Sequence, residues 1–370
     1  MAPPAAPSSA KLTIRSITTR ALRVPLKFTL GTSAASVTAA PLLLIDVLTE
    51  LGVTGRSYLF CYTTSGARAI AEHIVEASAL IEGKAATPLN LAQLLSRRFT
   101  LLGVSGPLRM ALSAIDIAIW DALAVSLGQP LAVILGGAPR SIPAYDSRGL
   151  GLMSRERLAD EAEALLAKGL RAIKLRLGYP SLADDVAAVR SVRGRIPDEV
   201  SLMVDYNQAL TPTEAILRSR ALQGEGVAWL EEPIRHDDYR GNAAIARATE
   251  IPLQLGENFN GPEAMAQALS EGACDYVMPD AARIGGVTGW MQAAGIAAAH
   301  GIEMSSHLIP EISVQLLSAT PTAHWLEYAD WADAILDEPL AIADGSVVCP
   351  KRPGLGLAWD EDKLKRLEAI

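Results

Sequence analysis

Eight short apolar runs recur between residues 141 and 330: "IPAYDS", "RAIKLRL", "VSLMVDY", "GVAWLEEP", "IPLQLGE", "CDYVMPD", "GIEMSSH" and "TAHWLE". Helical stretches separate them, among them "RERLADEAEALLAKG" and "SLADDVAAVRSVRGRI". The runs have strand length and the intervening segments helix length. Strict alternation on this scale predicts an α/β fold, a parallel sheet closed into a (β/α)8 barrel. One helix is missing from the pattern, because the chain after Asp330 is irregular.

The runs end in residues able to do chemistry: Lys174, Asp205, Glu231, Glu257, Asp280, His307 and Glu327. From Asp205 onward the intervals are 26, 26, 23, 27 and 20 residues (205→231→257→280→307→327). One β/α unit is about that long, so a barrel brings these side chains to one rim, where barrel enzymes carry their sites. A lone carboxylate at a strand end is ordinarily a helix cap or a solvated loop residue. Seven in phase with the repeat point to a site.

Asp205, Glu231 and Glu257 come from three neighbouring strands. Three hard carboxylates without Cys or His suit Mg2+ rather than zinc. Salt bridges to nearby Lys or Arg are the alternative. Glu232 points to the other side of its strand by alternation and reads as structural. Asp280 beside His307 would fix the imidazole tautomer and make His307 a general base. The other histidines, His73, His236, His300 and His324, lack this setting. In a closed pocket Glu327 could be held protonated to donate a hydrogen bond, or it could pair with a cation. "RAIKLRLGYP" raises its own question, since alternation puts Lys174 and Arg176 on one face of an otherwise apolar strand.

Residues 11–140 read as an α+β unit. Strand-like alternation in "KLTIRSITTRALRVPL" and a hairpin in "PLLLIDVLTELGVTGRSYLF" come first. Helices follow, the clearest being "RMALSAIDIAIWDALAVSLGQP", closed by Gly128 and Pro130. The barrel is assigned to 141–345, and the Gly- and Pro-rich residues 346–370 are expected to return to the first unit. The start, "MAPPAAPSSA" (1–10), has no apolar core for a secretory signal and reads as a disordered tail. The net charge is −8 without a basic run, which argues against nucleic acid as partner. No apolar run approaches the ~18 residues of a spanning helix. Three scattered cysteines fit a reducing compartment, and a cytoplasmic location is expected.

The motifs "KLRLGYP", "MVDYNQ", "WLEEP", "LGENF", "MPDAARIGGVTGW", "MSSHLIPEIS" and "ATPTAHWLE" resemble the mandelate racemase / muconate lactonizing enzyme family, in the mandelate racemase subgroup of the enolase superfamily. The resemblance extends to "PLLLIDV", "SYLFCYT" and "ALSAIDIAIWDALA" in the first unit. It implies an α+β capping domain over a modified (β/α)7β TIM barrel, which accounts for the missing helix. It implies that Asp205, Glu231 and Glu257 hold Mg2+, that Asp280 and His307 form the His–Asp dyad, and that Glu327 is the electrophilic acid. Lys174 matches the first lysine of the family's Lys-X-Lys motif, facing the substrate carboxylate, and Asn207 matches a polar residue near the site. The implied chemistry is removal of the proton α to the carboxylate of a small molecule, giving an enediolate. The family also implies a homo-oligomer, a dimer or an octamer.

Three positions depart from the racemase pattern. Arg176 replaces the second lysine of Lys-X-Lys, the racemases' second base. Arg283 replaces a lysine, and Arg148 a histidine. Deprotonating an arginine at neutral pH costs at least roughly 7 kcal/mol, most of what a general base contributes. One expectation is a racemase or epimerase of a 2-hydroxy acid. It is favoured by a lid, "LKFTLGTSAASVTAAP", that carries Leu30, Ala34 and Val37 with few charges, followed by Phe60 and Tyr62. These apolar residues could equally be ordinary core. The other is a one-base reaction through His307, an acid-sugar dehydratase or cycloisomerase, with Ser147, Arg148 or Arg176 near a polar end of the substrate. A barrel that only binds a ligand would leave the intact metal ligands and dyad unexplained.

Overall fold

The computed structural model describes residues 12–32 and 36–370. The tail at 1–10 and Ala34 of the lid lie outside the described residues.

The chain begins with three antiparallel strands, β1 (Ile14–Gly31), β2 (Ser36–Thr49) and β3 (Thr54–Phe60). The expected hairpin is β2–β3, registered from Leu42 opposite Phe60 to Leu48 opposite Thr54. Helices α1 (Thr64–Ile81), α2 (Pro88–Arg98), α3 (Gly106–Ser126) and the short α4 (Leu131–Ile134) follow. The run "PLLLIDV" in β2 is continuous because the strand is buried on both faces. Leu42 and Leu44 join the core shared with the barrel, whereas Leu43 and Ile45 join the core beneath the helices. Every residue of α3 from Met110 to Ile119 is buried. A helix apolar all round belongs inside a structure, and this one is packed between the cap and the barrel.

β4 (Ser141–Asp146) begins the barrel. It is followed by α5 (Arg155–Leu166), β5 (Ala172–Arg176), α6 (Leu182–Arg193), β6 (Ser201–Asp205), α7 (Pro212–Leu222), β7 (Val227–Glu231) and α8 (Tyr239–Ala246). Next come β8 (Leu253–Leu255), α9 (Pro262–Ser270), β9 (Tyr276–Val277), α10 (Ala281–Ile284), α11 (Gly286–His300), β10 (Glu303–Met304), α12 (Pro310–Ala319) and β11 (Leu326–Tyr328). Strands β4 to β10 neighbour one another in chain order and in parallel, and β11 pairs with β4. Backbone bonds from His324 N to Met304 O (2.9 Å) and from Ser306 N to Trp325 O (3.0 Å) close the ring. A single 3-10 turn, Trp331–Ala334, follows β11 where the other strands have a helix. This is the modified (β/α)7β barrel with an α+β cap that the resemblance implies.

After the barrel, β12 (Ile342–Ala343) and β13 (Ser346–Val348) form a hairpin, and β13 lies antiparallel to β4. The chain then runs through α13 (Glu361–Leu364) to β14 (Glu368–Ala369), which pairs with β1 through Leu22 and Arg23. No helix among the described residues is long and apolar enough to cross a membrane. Cys61, Cys274 and Cys349 are buried and unpaired.

Two buried acids on α3 tie the cap to the rest. Asp121 accepts from the Arg56 and Leu355 N–H groups, at 2.7 and 2.5 Å. Asp116 accepts from Thr288 N at 2.9 Å and Thr288 Oγ1 at 2.6 Å, at the start of α11. Burial pushes both carboxyls up to about 7, against the pull of those hydrogen bonds. A folded-state pKa above the unfolded value means that the native state holds the proton more tightly. The stability so gained is complete below the unfolded pKa, near 3.8, and is lost as pH rises through about 7. The thermal midpoint of Asp116→Asn is therefore expected to fall less steeply across this window than that of the wild type. Equal slopes would show that Asp116 does not titrate there.

The contact of α3 with β3 depends on Gly55. A Cβ at that position would lie 2.0 Å from Ala118 O and 2.7 Å from Ala122 Cβ. Gly55→Ala is expected to destabilise the protein by roughly 1–3 kcal/mol through overpacking, measured by denaturant unfolding.

Candidate active site

The C-terminal ends of the barrel strands carry the expected ladder. Parallel register sets Arg176 beside Asp205, and Asp205 beside Glu231. Glu257 follows β8, Asp280 caps α10, His307 follows β10 and Glu327 lies within β11. Oxygens of Asp205, Glu231 and Glu257 all lie within 4.8 Å of one another.

Lys174 stands among them, fully buried. Its Nζ is 2.5 Å from Glu231 Oε1, 2.8 Å from Glu327 Oε1 and 3.4 Å from Asp205 Oδ2. Burial pulls the ammonium down, but the surrounding carboxylates outweigh it and hold Lys174 well above the usual lysine range. One ammonium does not neutralise the cluster. Burial pushes Glu231 up to about 8, with Asp205, Glu327 and Glu257 adding to the rise and Lys174 opposing it. An all-oxygen, electron-rich donor set with this excess of negative charge fits a hard divalent cation.

His307 Nδ1–H donates to Asp280 Oδ2 at 2.7 Å, which leaves Nε2 as the basic nitrogen. Nε2 lies 3.4 Å from Glu257 Oε2 and 3.8 Å from Glu327 Oε2. Burial lowers the imidazolium, yet Glu257, Glu327 and Asp280 prevail and lift it to about 9. Glu327 accepts from Leu308 N at 2.9 Å. Burial pushes its carboxyl up, but the Lys174 and His307 cations win and bring it down to about 2. In this arrangement Glu327 is a carboxylate.

A cavity of about 280 Å3 opens over these groups. Lys174, Arg176, Asp205, Glu257, His307 and Glu327 form its floor. Leu30, Val37, Phe60 and Tyr62 of the cap form its roof, together with Trp331 of the 3-10 turn. The Phe60 ring centroid is 4.6 Å from those of both Tyr62 and Trp331, an apolar wall facing the acids.

Arg176 is not free within this cavity. Nη1 donates to Ser147 O (3.0 Å) and Gly149 O (2.6 Å), and Nη2 donates to Ser147 Oγ (2.7 Å). The guanidinium fork thus clasps the loop after β4. Ser147 is buried, and its hydroxyl also hydrogen-bonds Glu327 at the cavity floor. Arg148 does not reach the cavity, because Asp146 holds it at 2.6 Å and Asp330 at 2.7 Å, under the loops that follow β4 and β11. Asn207 lines the cavity and supports a carboxylate: its N–H and Nδ2 donate to Asp205 at 2.8 and 3.0 Å.

The cavity also recruits Gln208, Asn258, Arg283, Leu308 and Trp331. The repeat phase marks only strand ends, so it passes over these loop residues. Asn258 is adjacent to the marked Glu257, and its Nδ2 donates to Glu232 at 2.8 Å. Glu232 leaves strand alternation through a left-handed φ of 35°. Of the eight described non-glycine residues with positive φ, seven follow the ends of β3, β4, β6, β7 and β10: Tyr62, Leu150, Asn207, Gln208, Glu232, Leu308 and Ile309. Such strained backbone collects at functional sites.

Similarity to known proteins agrees with this geometry. The N-terminal domain model of mandelate racemase / muconate lactonizing enzyme matches residues 14–136, and the enolase C-terminal domain-like model matches 157–363. The chain belongs to the mandelate racemase / muconate lactonizing enzyme family of the enolase superfamily, and it is an enzyme. It is 33% identical to a 3,6-anhydro-alpha-L-galactonate cycloisomerase of Streptomyces coelicolor, over 85% of this chain and 88% of that protein. It is 33% identical to an L-talarate/galactarate dehydratase of Salmonella typhimurium over 70% of this chain, which spans 66% of that protein's length, just under two thirds. An enolase from Bradyrhizobium, solved with magnesium and mandelic acid, superposes with a TM-score of 0.93 at 41% identity, covering 98% of this chain and 100% of that one.

Titration with Mg2+ by calorimetry is expected to show one saturable site that is lost in Asp205→Asn. Asn207→Ala, which removes the side-chain donor to Asp205, is expected to weaken binding by about 10–100-fold. Undiminished binding in Asp205→Asn would place the cation elsewhere.

Proposed function

We propose that this enzyme uses His307 as its single base, removing the α-proton from one face of a small 2-hydroxy acid with Mg2+ as cofactor. The donor set of Asp205, Glu231 and Glu257 would hold it. A cation held there would supply the charge neutralisation that the substrate carboxylate needs as the proton leaves. A cation on Glu257 would offset the carboxylate that most raises His307, and the neutral imidazole then takes the proton at Nε2 while Asp280 keeps the ring oriented and stabilises the imidazolium. Lys174 is placed to bind a carboxylate oxygen of the substrate. Once its ammonium turns to that oxygen, Glu327 loses the neighbour that most depresses its pKa. Burial then favours the protonated acid, able to donate to the enediolate.

One observation carries the single-base reading. Arg176 stands where a second base would be, and its guanidinium is committed to Ser147 and Gly149 by three hydrogen bonds. A fixed cation that cannot readily give up its proton leaves the enediolate to collapse by expelling a β-oxygen, as in a dehydratase or cycloisomerase. The apolar wall of Leu30, Val37, Phe60 and Trp331 favours a second reading, racemisation of an aryl-substituted 2-hydroxy acid.

Proton exchange in D2O, followed by NMR on mandelate and on acid-sugar epimers, separates the two. One enantiomer or epimer is expected to exchange, and exchange of both at similar rates rules out a single base. His307→Asn is expected to lose roughly 10²–10⁴-fold in exchange rate. Arg176→Lys restores a titratable group, so a rise in racemisation would identify position 176 as the missing second base.

A further inference from the structure

A second cavity, of about 410 Å3, lies beyond the reaction cavity, between the cap and the barrel. Tyr62, Asn258 and Arg283 line both cavities and form the partition. Arg283 lies 4.8 Å over the Tyr62 ring and donates to Asn258 Oδ1. Arg109, on α3, lines the far side.

The second cavity contains two arginines, and no Asp or Glu lines it. Neither guanidinium pairs with a carboxylate among the described residues, and each leaves a buried Nε without a hydrogen-bond partner. Arg109 lies beside the glycine backbone with Glu263 approaching the same spot: a Cβ added at Gly261 would be 3.2 Å from Arg109 Nη2 and 2.5 Å from Glu263 Oε2, and one at Gly285 would be 3.6 Å from Arg109 Nη1. Burial lowers the Arg109 pKa, and Glu263, which lines the neighbouring groove, offsets this only in part. The start of α3 adds positive partial charge. Ser105 and Gly106 line the cavity there, and the Ser105 side chain makes no capping bond, whereas the Gly66 N–H at the start of α1 is already taken by Thr63 Oγ1.

Asp280 and Glu257 support the Arg283 charge from the reaction-cavity side, so what the second cavity offers is guanidinium donors left unmet where no acid lines the wall, and an anion can accept from them. We propose that this cavity is an anion site in which Arg109 and Arg283 bind a carboxylate or phosphate group. The anion could be the far end of a long substrate reaching past the Tyr62–Arg283 partition, or a separate small ion. Arginine suits both, since its fork matches the oxygens of either group.

Inorganic phosphate titrated into the Mg2+-loaded protein, followed by calorimetry, tests the site independently of any turnover. One saturable site is expected. Arg109→Met should weaken it by about tenfold or more, and Arg109→Lys should recover part of the loss. Asp205→Asn should leave it unchanged. No phosphate binding in the wild type overturns the proposal. So does binding that survives Arg109→Met but disappears in Asp205→Asn, which would mean that phosphate sits on the catalytic cation. Competition separates the two sources. Displacement of phosphate by a six-carbon aldaric acid but not by mandelate assigns the site to the substrate's far end. Phosphate binding unaffected by either assigns it to a separate anion, and displacement by mandelate as well places phosphate in the reaction cavity and overturns the proposal.

Discussion

One buried ammonium organises the mouth of the barrel. Lys174 lies within 3.4 Å of Asp205, Glu231 and Glu327. An isolated lysine at this depth would give up its proton. Here the acids hold the charge on it, and it holds the acids close together against their repulsion. The balance is incomplete, because Glu231 still rises to about 8. That residual negative charge fits the cluster to a hard cation, where a closed salt bridge would leave none. It also keeps His307 basic and Glu327 sensitive to whatever Lys174 touches.

Lys174 and Arg176 share a strand face, yet chemistry separates them. The ammonium is a compact point charge that can serve three carboxylates at once. The guanidinium is a planar fork whose donors match carbonyl oxygens in fixed directions. One step nearer the rim, the carbonyls of Ser147 and Gly149 offer those directions. Arg176 therefore reads as a clasp for the β4 loop, and the two cations are not interchangeable.

The cap completes the site from a separate part of the chain. Its central strand β2 is buried on both faces from Ala40 to Ile45, and its neighbours β1 and β3 present Leu30 and Phe60 to the barrel mouth. The 3-10 turn after β11 is part of the same design. A full helix there would carry the chain away from the mouth, whereas the turn sets Trp331 against Phe60. Strained residues at the strand ends break the alternation of an extended strand, as Glu232 does at φ 35°, where its carboxylate meets Asn258 of the cavity wall.

The barrel and its ladder were legible in the sequence because the information is local. Strand-length runs, helix-length spacers and a repeat of 20 to 27 residues place Asp205, Glu231, Glu257, Asp280, His307 and Glu327 in one phase, and a closed parallel barrel turns one phase into one rim. The roles of Asn258, Arg283 and Trp331 were not legible, because they follow from loop conformations that no periodicity encodes. Arg148 shows the limit from the other side: its place after a strand end suggests the substrate, but Asp146 and Asp330, 2 and 182 residues away, take its guanidinium. The sequence by itself determined which kinds of charge stand at the rim. Only the tertiary structure decided what each charge is tied to, because hydrogen-bond partners are chosen by the register of distant segments across a closed sheet.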